Sequence, residues 1–368
     1  MNGNSIGKAL VLTCFGETHG QLIGAVIDGC PAGLPLSRED IQTELNKRRP
    51  GQTAVSTPRK EEDQVEILSG VFNGFTTGAP ICLIVRNLDI KSENYEQIKE
   101  KPRPGHADYV THVKYGGFSD YRGGGRFSGR VTVSYVMAGA IAKKLLKQIN
   151  IEVLAHTIQI GNVRITKTIS YEKIRENVYN NPVGCAVPEL AALMEKEILK
   201  VMEEGDSVGG VVEAIALGVP AGLGEPIFDS VDSDIAKMMF NIPAVKGVEF
   251  GAGFRASSLK GSENNDEYII ENGKIVSLTN NAGGILGGIT TGMPIVLRVG
   301  FKPTSSIAKK QRTVNLSKME ETEIQLVGRH DPCIVPRAVP VVESCLALVL
   351  ADHAIRAGML PRILRSRK

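Results

Sequence analysis

Runs of apolar residues along the chain predict several strands and two core helices. The strand-like runs lie at 9–14, 22–28, 80–86, 151–160, 209–217 and 294–300. Residues 131–147 and 338–356 are rich in Ala, Val, Met and Leu around most of their helical circumference, which is typical of buried helices. Ser37 predicts an N-cap for a helix over 38–48 whose charged residues face outward. We therefore expect a layered α+β fold with antiparallel sheets outside and long helices inside.

Two pairs of segments repeat in the same order. FGETHGQLIGAVIDGCPAGLP (15–35) resembles EGDSVGGVVEAIALGVPAGLG (204–224), and GVFNGFTTGAPICLIV (70–85) resembles GILGGITTGMPIVLRV (284–299). We infer two similar halves, about 1–150 and 200–360, within a single domain that spans residues 1–368. His19 in the first half corresponds to Val208 in the second. This difference favours a functional role for His19, because a histidine needed only for the fold is expected in both copies.

Composition narrows the class of protein. Hydrophobic residues make up 42% of the 368 residues, which is ordinary for a globular protein. A formal net charge of +3 is too weak to indicate nucleic acid or a membrane as a partner. The first residues do not resemble a signal peptide, no stretch reaches the length of a membrane span, and the cysteines form no CxxC pair. We expect a cytoplasmic protein with reduced thiols and no metal site.

Five segments combine tight turns with chemically capable side chains. They are GETHG (16–20), RPGHADY (103–109), YRGGGRFSGR (121–130), KPTSS (302–306) and GRHDPCIVPRA (328–338). In the third segment, backbone N–H groups and two arginines suit a phosphate or carboxylate. In the fourth, a lysine and several hydroxyls form a phosphate cradle without the glycine pattern of a P-loop. Together they predict a site for a strongly anionic, phosphate-bearing ligand.

Each segment also has a purely structural interpretation. His19 could lie in an ordinary tight turn, and Asp108 could cap a helix with His106 at the surface. The KPTSS segment could be a polar loop, and Asp331 followed by proline could mark a turn. The sequence alone leaves these alternatives open for each segment taken separately.

The ordered set of segments, together with N-x-A-G-G-I-x-G-G (280–288), resembles the chorismate synthase family from about residue 5 to about residue 357. The resemblance implies a β–α–β sandwich, a homotetramer, and conversion of 5-enolpyruvylshikimate-3-phosphate to chorismate by anti-1,4-elimination of phosphate. It also implies reduced FMN as cofactor, with no net redox change. Substrate and FMN together carry roughly five or six negative charges, which explains the need for arginines.

The resemblance implies roles for individual residues. His19 would protonate the departing phosphate, and His106 would manage the charge of the reduced flavin ring. Asp331 and Ser128 would relay the proton that flavin N5 removes, after electron donation from the flavin has eased phosphate loss. The implied catalytic set is His19, His106, Asp331, Ser128 and Thr18, and the implied substrate-binding set is Arg48, Arg59, Arg130 and Arg337. The implied FMN positions are Arg126, Phe127, Ser128, Pro243, Ala244, Gly287, Lys302, Pro303, Thr304, Ser305, Ser306 and Arg329.

Two positions depart from the family pattern. Thr18 replaces the serine of the usual G-E-S-H-G run, and Ala54 stands near a position where many members carry an arginine, a contact that Arg59 could supply instead. The source of electrons for FMN stays open between NADPH used by the chain itself and a separate reductase, although no long insertion indicates a reductase module. Two other functions remain as alternatives: a flavin-dependent oxidoreductase acting on a small anionic substrate, and a non-catalytic anion-binding protein.

Overall fold

The structure is a computed structural model that describes residues 3–49, 55, 62–88, 93–326 and 330–365. Strands of the first part of the chain are β1 (Ser5–Ile6), β2 (Val11–Gly16), β3 (Leu22–Asp28), β4 (Val65–Ile67), β5 (Val71–Phe72), β6 (Phe75–Thr76) and β7 (Ile81–Arg86). Five of them form an antiparallel sheet in the order β1-β2-β3-β7-β4, and β5 pairs with β6 as a hairpin.

A second antiparallel sheet is built later in the chain. The strands are β8 (Glu152–Ile160), β9 (Val163–Arg164), β10 (Gly210–Leu217), β11 (Val245–Phe250), β12 (Tyr268–Glu271), β13 (Lys274–Ser277), β14 (Ile285–Leu286), β15 (Ile289–Thr290), β16 (Ile295–Phe301), β17 (Gln311–Asn315) and β18 (Glu320–Ile324). This sheet has the order β11-β16-β10-β8-β9. The pairs β12-β13, β14-β15 and β17-β18 are separate hairpins.

Helices lie between the two sheets and at their edges. They are α1 (Arg38–Arg48), α2 (Asp108–Lys114), α3 (Thr132–Lys147), α4 (Tyr171–Asn177), α5 (Pro188–Glu203), α6 (Val231–Phe240), α7 (Gly261–Asn264) and α8 (Val335–Arg356). Short 3₁₀ segments occur at Glu93–Lys99, Arg122–Phe127, Gly129–Val131, Val178–Asn180 and Gly253–Ser258. The sequence patterns did not predict α4, α5 or α6.

The two predicted core helices form and lie in the middle of the molecule. α3 contacts β3 and β7 of the first sheet, α8 contacts β8 and β10 of the second, and the two helices contact each other. A Cβ atom added to Gly139 would lie only 2.2 Å from the Cβ of Ser344, so the helices approach most tightly where one of them has no side chain. The expected arrangement of antiparallel sheets packed on inner helices is confirmed.

α8 is the one helix of the described residues that is long and apolar enough to span a membrane, and 94% of its apolar window is buried inside the protein. Its composition therefore reflects its central position, with apolar side chains required on every face.

α1 confirms one prediction and corrects another. Ser37 caps the helix through a capping box in which Ser37 and Asp40 each bond the other's backbone N–H. The expectation that the charged residues face outward is wrong for Arg48, which is only 2% exposed. Ile41, Leu45 and Arg48 are the buried residues of this helix, because spacings of four and three residues place them on one face.

The repeated segments adopt the same local structure in both halves. In each half, the first threonine of T-T-G accepts a hydrogen bond from the leucine N–H of PAGL and donates one to the proline carbonyl. These distances are 3.0 and 2.6 Å for Thr76, and 2.9 and 2.6 Å for Thr290. The threonine backbone pairs with the same turn in both halves as well. We call this contact the threonine clamp.

The strand register also matches between the halves. Ile23 faces Val85 across β3 and β7, and Val212 faces Val299 across β10 and β16. All four side chains are fully buried and occupy equivalent places in the repeated segments. The strands on the other side of β3 and β10 are not equivalent. β3 pairs there with β2, whereas β10 pairs with β8.

Candidate active site

A crevice of about 760 Å³ lies where the predicted motifs meet. Predicted site residues that line it are Arg48, His106, Arg126, Phe127, Ser128, Arg130, Pro243, Ala244, Lys302, Thr304, Ser305, Ser306, Asp331 and Arg337. These residues come from both halves of the chain and from segments as far apart as α1 and α8. The tertiary structure therefore brings most of the predicted site residues into the wall of one crevice.

The remaining predicted residues lie elsewhere. Thr18 and His19 are buried directly behind Gly123, which lines the crevice. Pro303 lines a shallower depression next to the crevice, and Gly287 lies in the turn between β14 and β15, away from the crevice wall. Arg59 and Arg329, as well as the departure at Ala54, lie outside the described residues.

The glycine run of the third motif is in contact with both catalytic candidates. A Cβ atom on Gly123 would lie 2.5 Å from Cδ2 of His19, and one on Gly124 would lie 3.1 Å from Cε1 of His106. Both glycines also have positive φ angles, 60° and 86°. Only glycine satisfies the space and the backbone conformation at these two positions, so the run allows both imidazoles to approach one loop.

His19 is held in a buried position. It is 3% exposed, and its ring meets Tyr95 edge-on with 5.0 Å between the ring centroids. The backbone N–H of Thr18 donates to Gly125 O at 3.3 Å, which ties the GETHG turn to the glycine run. The Thr18 Oγ1 atom is buried and has no hydrogen-bond partner among the described residues. A buried hydroxyl of this kind is expected where a ligand supplies the missing bond.

The family departure at position 18 has a structural counterpart. A Cβ atom on Gly123 would lie 2.6 Å from the Cγ2 methyl of Thr18, so this extra methyl group fills the space beside the glycine. A serine would leave that space open while keeping the hydroxyl. The threonine thus adds packing against the glycine run next to His19.

Two of the predicted substrate arginines share a buried carboxylate. Asp63 Oδ2 accepts from Arg48 at 3.2 Å, while Asp63 Oδ1 pairs with Arg130 at 2.5 Å. The side chain of Asp63 has no exposed surface, and those of the two arginines are 3% and 5% exposed. Arg48 Nε also donates to Thr132 Oγ1 at 2.9 Å. Asp63 therefore holds both guanidinium groups in place before any ligand arrives. Its only signal in the sequence is an acidic residue that follows a basic stretch.

The electrostatics of this region favour anions. Burial, reinforced by the positive charge of Arg337, lowers the pKa of Arg48, while Asp63 acts in the opposite direction. Arg337 pairs with Asp331, and its Nε donates to Arg48 O at 3.3 Å. Among the residues that the structure describes, three arginines thus converge with two carboxylates. We call Arg48, Arg130, Arg337, Asp63 and Asp331 the arginine cluster.

Asn87 is a second residue that sequence reasoning missed. Its Nδ2 donates to Glu17 O at 3.0 Å and to Gly20 O at 2.8 Å, on either side of His19. Its Oδ1 accepts from Arg130 Nε at 2.9 Å. One amide therefore connects the GETHG turn to the arginine cluster. The available signal was a polar residue directly after the apolar strand β7.

His106 lies in the crevice wall rather than at the surface. Its Nδ1 is 2.6 Å from Asp108 Oδ1, and Asp108 also pairs with Arg103 Nε at 2.7 Å. Asp108 is the first residue of α2 but makes no capping hydrogen bond, so the interpretation of Asp108 as a helix cap with a surface histidine is wrong. Burial lowers the pKa of His106, with Arg103 and Lys302 adding to the effect and Asp108 opposing it.

The opposite part of the crevice carries lysines and hydroxyls. Lys302 Nζ donates to Ser305 Oγ at 2.9 Å, and burial together with the charge of Lys246 lowers the pKa of Lys302. Lys246 was not predicted but lines the crevice. Arg126 also lines it and makes no ion pair with the described residues. We call Arg126, Lys246, Lys302 and the hydroxyls of Thr304 to Ser306 the lysine cluster.

This second cluster fits the phosphate and ring of a flavin nucleotide. Among the described residues, Lys302 Nζ donates to the neutral oxygens Pro303 O and Ser305 Oγ and forms no ion pair with a carboxylate. Phe127, 40% exposed, gives an apolar surface beside these cations. Ala244 adopts a positive φ of 73° in the crevice wall, and its carbonyl accepts from Lys302 N at 3.0 Å. The residues present therefore suit an anionic, aromatic ligand.

Comparison with known proteins shows what this chain is similar to. The family model described as chorismate synthase matches residues 10–355, a range that contains all five motifs. A chorismate synthase of Korarchaeum cryptofilum is 57% identical over 357 residues, which are 97% of this chain and 99% of that protein. One of Methanosphaera stadtmanae is 55% identical over 360 residues, 98% of each. A crystal structure of chorismate synthase matches with a TM-score of 0.76 and 33% identity, covering 96% of this chain and 93% of that one.

Proposed function

The chain belongs to the chorismate synthase family, and from this premise we propose that its crevice holds substrate and reduced FMN side by side. Its function is that of chorismate synthase, a phosphate-eliminating lyase of the shikimate pathway that serves aromatic amino acid biosynthesis. The substrate of the family is 5-enolpyruvylshikimate-3-phosphate, and the family uses reduced FMN. The proposals below concern which residues of this chain do what.

The substrate binds at the arginine cluster. The observation that carries this proposal is the shared carboxylate of Asp63, which holds Arg48 and Arg130 in place beside Arg337. The substrate brings two carboxylates and a phosphate, and guanidinium groups can bind each of them with paired hydrogen bonds. Preorganised donors lower the cost of ordering side chains on binding. Arg59 completes the proposed set.

FMN binds at the lysine cluster. Lys302 and the hydroxyls of Thr304 to Ser306 would hold its phosphate, while Arg126, Phe127, Ser128, Pro243 and Ala244 would face the ring system. Gly287, Pro303 and Arg329 belong to the proposed set through the family resemblance alone. When bound, reduced FMN supplies transient electron density to the substrate and a base at its ring.

The side chains of the chain itself position and move protons. His19, supported by the Thr18 hydroxyl, delivers a proton to the departing phosphate from behind the glycine run. Ser128 and Asp331, both in the crevice wall, pass on the proton that leaves the substrate ring. His106 stays on the flavin side and stabilises charge there. Elimination thus uses general acid–base groups on two sides of one anionic ligand.

We also propose three broader properties. An ancient duplication accounts for the two halves, and it is supported by the matched threonine clamps and the matched strand register. A homotetramer follows from the family resemblance, and exposed apolar side chains such as Phe228, Phe254 and Ile270 offer surface for assembly. The protein acts in the cytoplasm.

The experiment is an anaerobic phosphate-release assay with dithionite-reduced FMN, run with and without NADPH. We expect about one phosphate per substrate consumed, catalytic rather than stoichiometric flavin, and no net NADPH oxidation coupled to turnover. NADPH consumed in step with substrate would instead indicate a flavin-dependent oxidoreductase. Binding of FMN and substrate without phosphate release would indicate a non-catalytic anion-binding protein. If NADPH alone supports turnover with oxidised FMN, the chain reduces its own cofactor.

A further inference from the structure

His106 is one member of a buried trio of side chains. Its Nδ1 lies 2.6 Å from Asp108 Oδ1, and Arg103 binds both oxygens of the same carboxylate at 2.7 and 2.8 Å. The side chains of Arg103, Asp108 and His106 are 4%, 8% and 18% exposed. Arg103 and His106 both line the crevice, whereas Asp108 lies behind them.

The contact with Asp108 determines which ring nitrogen carries hydrogen. A carboxylate only accepts hydrogen bonds, so the ring nitrogen that faces it, Nδ1, must be the donor. Burial by itself raises the pKa of Asp108, but the hydrogen bonds from Arg103 and His106 outweigh it and hold that pKa well below the usual range. Asp108 is thus ionised at neutral pH, and in a neutral His106 ring the Nε2 atom carries no hydrogen.

Arg103 supports this arrangement from the ring face. Its Nη2 lies 3.1 Å from Nδ1 and 3.2 Å from Nε2 of His106. One atom cannot be equally far from both nitrogens in the ring plane without colliding with Cε1, so the guanidinium lies over the face of the imidazole. A cation in that position disfavours a second positive charge on the ring, in agreement with the lowered pKa of His106.

The trio is also attached to the proposed FMN segment. Arg103 Nη1 donates to Ser306 Oγ at 3.0 Å, and Ser305 Oγ donates to Gly105 O at 2.7 Å. These two bonds join the RPGHAD and KPTSS segments, which lie about 200 residues apart in the chain. The orientation of His106 is therefore coupled to the hydroxyls of the lysine cluster.

We propose that Asp108 is a positioning residue for the reaction: by accepting a hydrogen bond from His106 Nδ1–H it fixes the imidazole in one orientation and one tautomer, and Arg103 holds Asp108. This inference rests on the proposed placement of His106 beside reduced flavin. Asp108 itself does not line the crevice.

The test is Asp108→Asn, read in two independent ways. In ligand-free protein labelled with 15N-histidine, long-range 1H–15N correlation reports the tautomer. We expect His106 to change from the Nδ1–H form to a mixture containing the Nε2–H form. In the phosphate-release assay we expect kcat to fall on the order of 100-fold, with KM for substrate changed less than about threefold. Asp108→Glu restores a carboxylate, and we expect it to recover the Nδ1–H form and at least part of kcat.

Asp234→Asn is the matched control, since Asp234 pairs with His353 Nε2 at 2.9 Å outside the crevice. We expect it to alter the signals of His353 while the tautomer of His106 and kcat stay as in the unchanged protein. An unchanged His106 tautomer in Asp108→Asn overturns the proposal, and so does an altered tautomer with normal kcat. His106→Ala distinguishes failure of the proposed function from failure of the positioning proposal. Normal kcat in His106→Ala contradicts the proposed role of His106 itself. Normal kcat in Asp108→Asn, with a reduced kcat in His106→Ala, contradicts only the positioning by Asp108.

Discussion

The two halves of the chain share several structural contacts but differ in the candidate catalytic residues that they carry. Both contain the threonine clamp, in which Thr76 or Thr290 bridges the PAGL turn with nearly equal distances. At the preceding turn, the first half has buried His19, whereas the second has Val208, half-buried against the core. Contacts that stabilise the fold are thus present twice, and the candidate acid is present once. The residues that differ between the halves are the better guide to the reaction.

The arginines at the N-terminal ends of the two core helices show a similar contrast. Arg130, before α3, is 5% exposed at its side chain and is held by Asp63 and Asn87. Arg337, in the first turn of α8, is 24% exposed and pairs with Asp331. The first half therefore presents a rigid, desolvated cation and the second a more accessible one. We expect the rigid arginine to contribute to both stability and binding, and the accessible one mainly to binding.

The largest expected effect on turnover comes from removing His19, the candidate acid that has no counterpart in the second half. His19→Ala should lower kcat by about 100- to 10,000-fold, because general acid catalysis of phosphate departure is lost. Phosphate release under anaerobic conditions measures it, and circular dichroism with thermal unfolding checks the fold. A loss of thermal stability large enough to explain the loss of rate would contradict a catalytic role for His19.

A smaller effect is expected from substitutions that distinguish the arginine cluster from the lysine cluster. Arg337→Ala should weaken substrate binding about 10- to 100-fold, the equivalent of one charged hydrogen-bonding group, and should change FMN affinity by less than about twofold. Lys302→Ala is the matched variant and should weaken FMN binding while it changes substrate affinity little. Calorimetric titration of each ligand measures both. Equal losses for substrate and FMN in either variant would mean that the crevice is not divided in this way.

The threonine clamps should contribute equally to stability. Thr76→Ala and Thr290→Ala each remove two buried hydrogen bonds and should lower the free energy of unfolding by about 1–3 kcal/mol. Urea unfolding monitored by circular dichroism measures the two variants side by side. A large loss for one clamp and none for the other would argue against structurally equivalent halves.

The smallest effect is expected from giving the second half the missing histidine. Val208→His should change kcat by less than about twofold, because the equivalent turn carries no other part of the proposed machinery. The phosphate-release assay measures it against the unchanged protein. An increase in turnover, or rescue of His19→Ala by this substitution, would show that the second half can also supply the acid.

The sequence determined the layers of the fold because hydrophobic periodicity is local information. Apolar runs located β3, β7, β8, β10 and β16 to within one or two residues, and the all-apolar stretches located α3 and α8. The amphipathic helix α5 was missed although its pattern was present in the sequence. The inward direction of Arg48 could also have been predicted, since Arg48 follows Ile41 and Leu45 on the same helical face.

The sequence also indicated the candidate segments of the site, because glycines, histidines and arginines are uncommon together. Which charged side chains meet depends on the tertiary fold. Asp63 lies 67 residues from Arg130, and Asn87 lies 43 residues from it, so no local pattern links them. Asp108 is close to His106 in sequence, yet its role depends on Arg103 and on burial of all three side chains. Buried charges find their partners only in the folded state, because residues that are distant in the sequence come into contact only there.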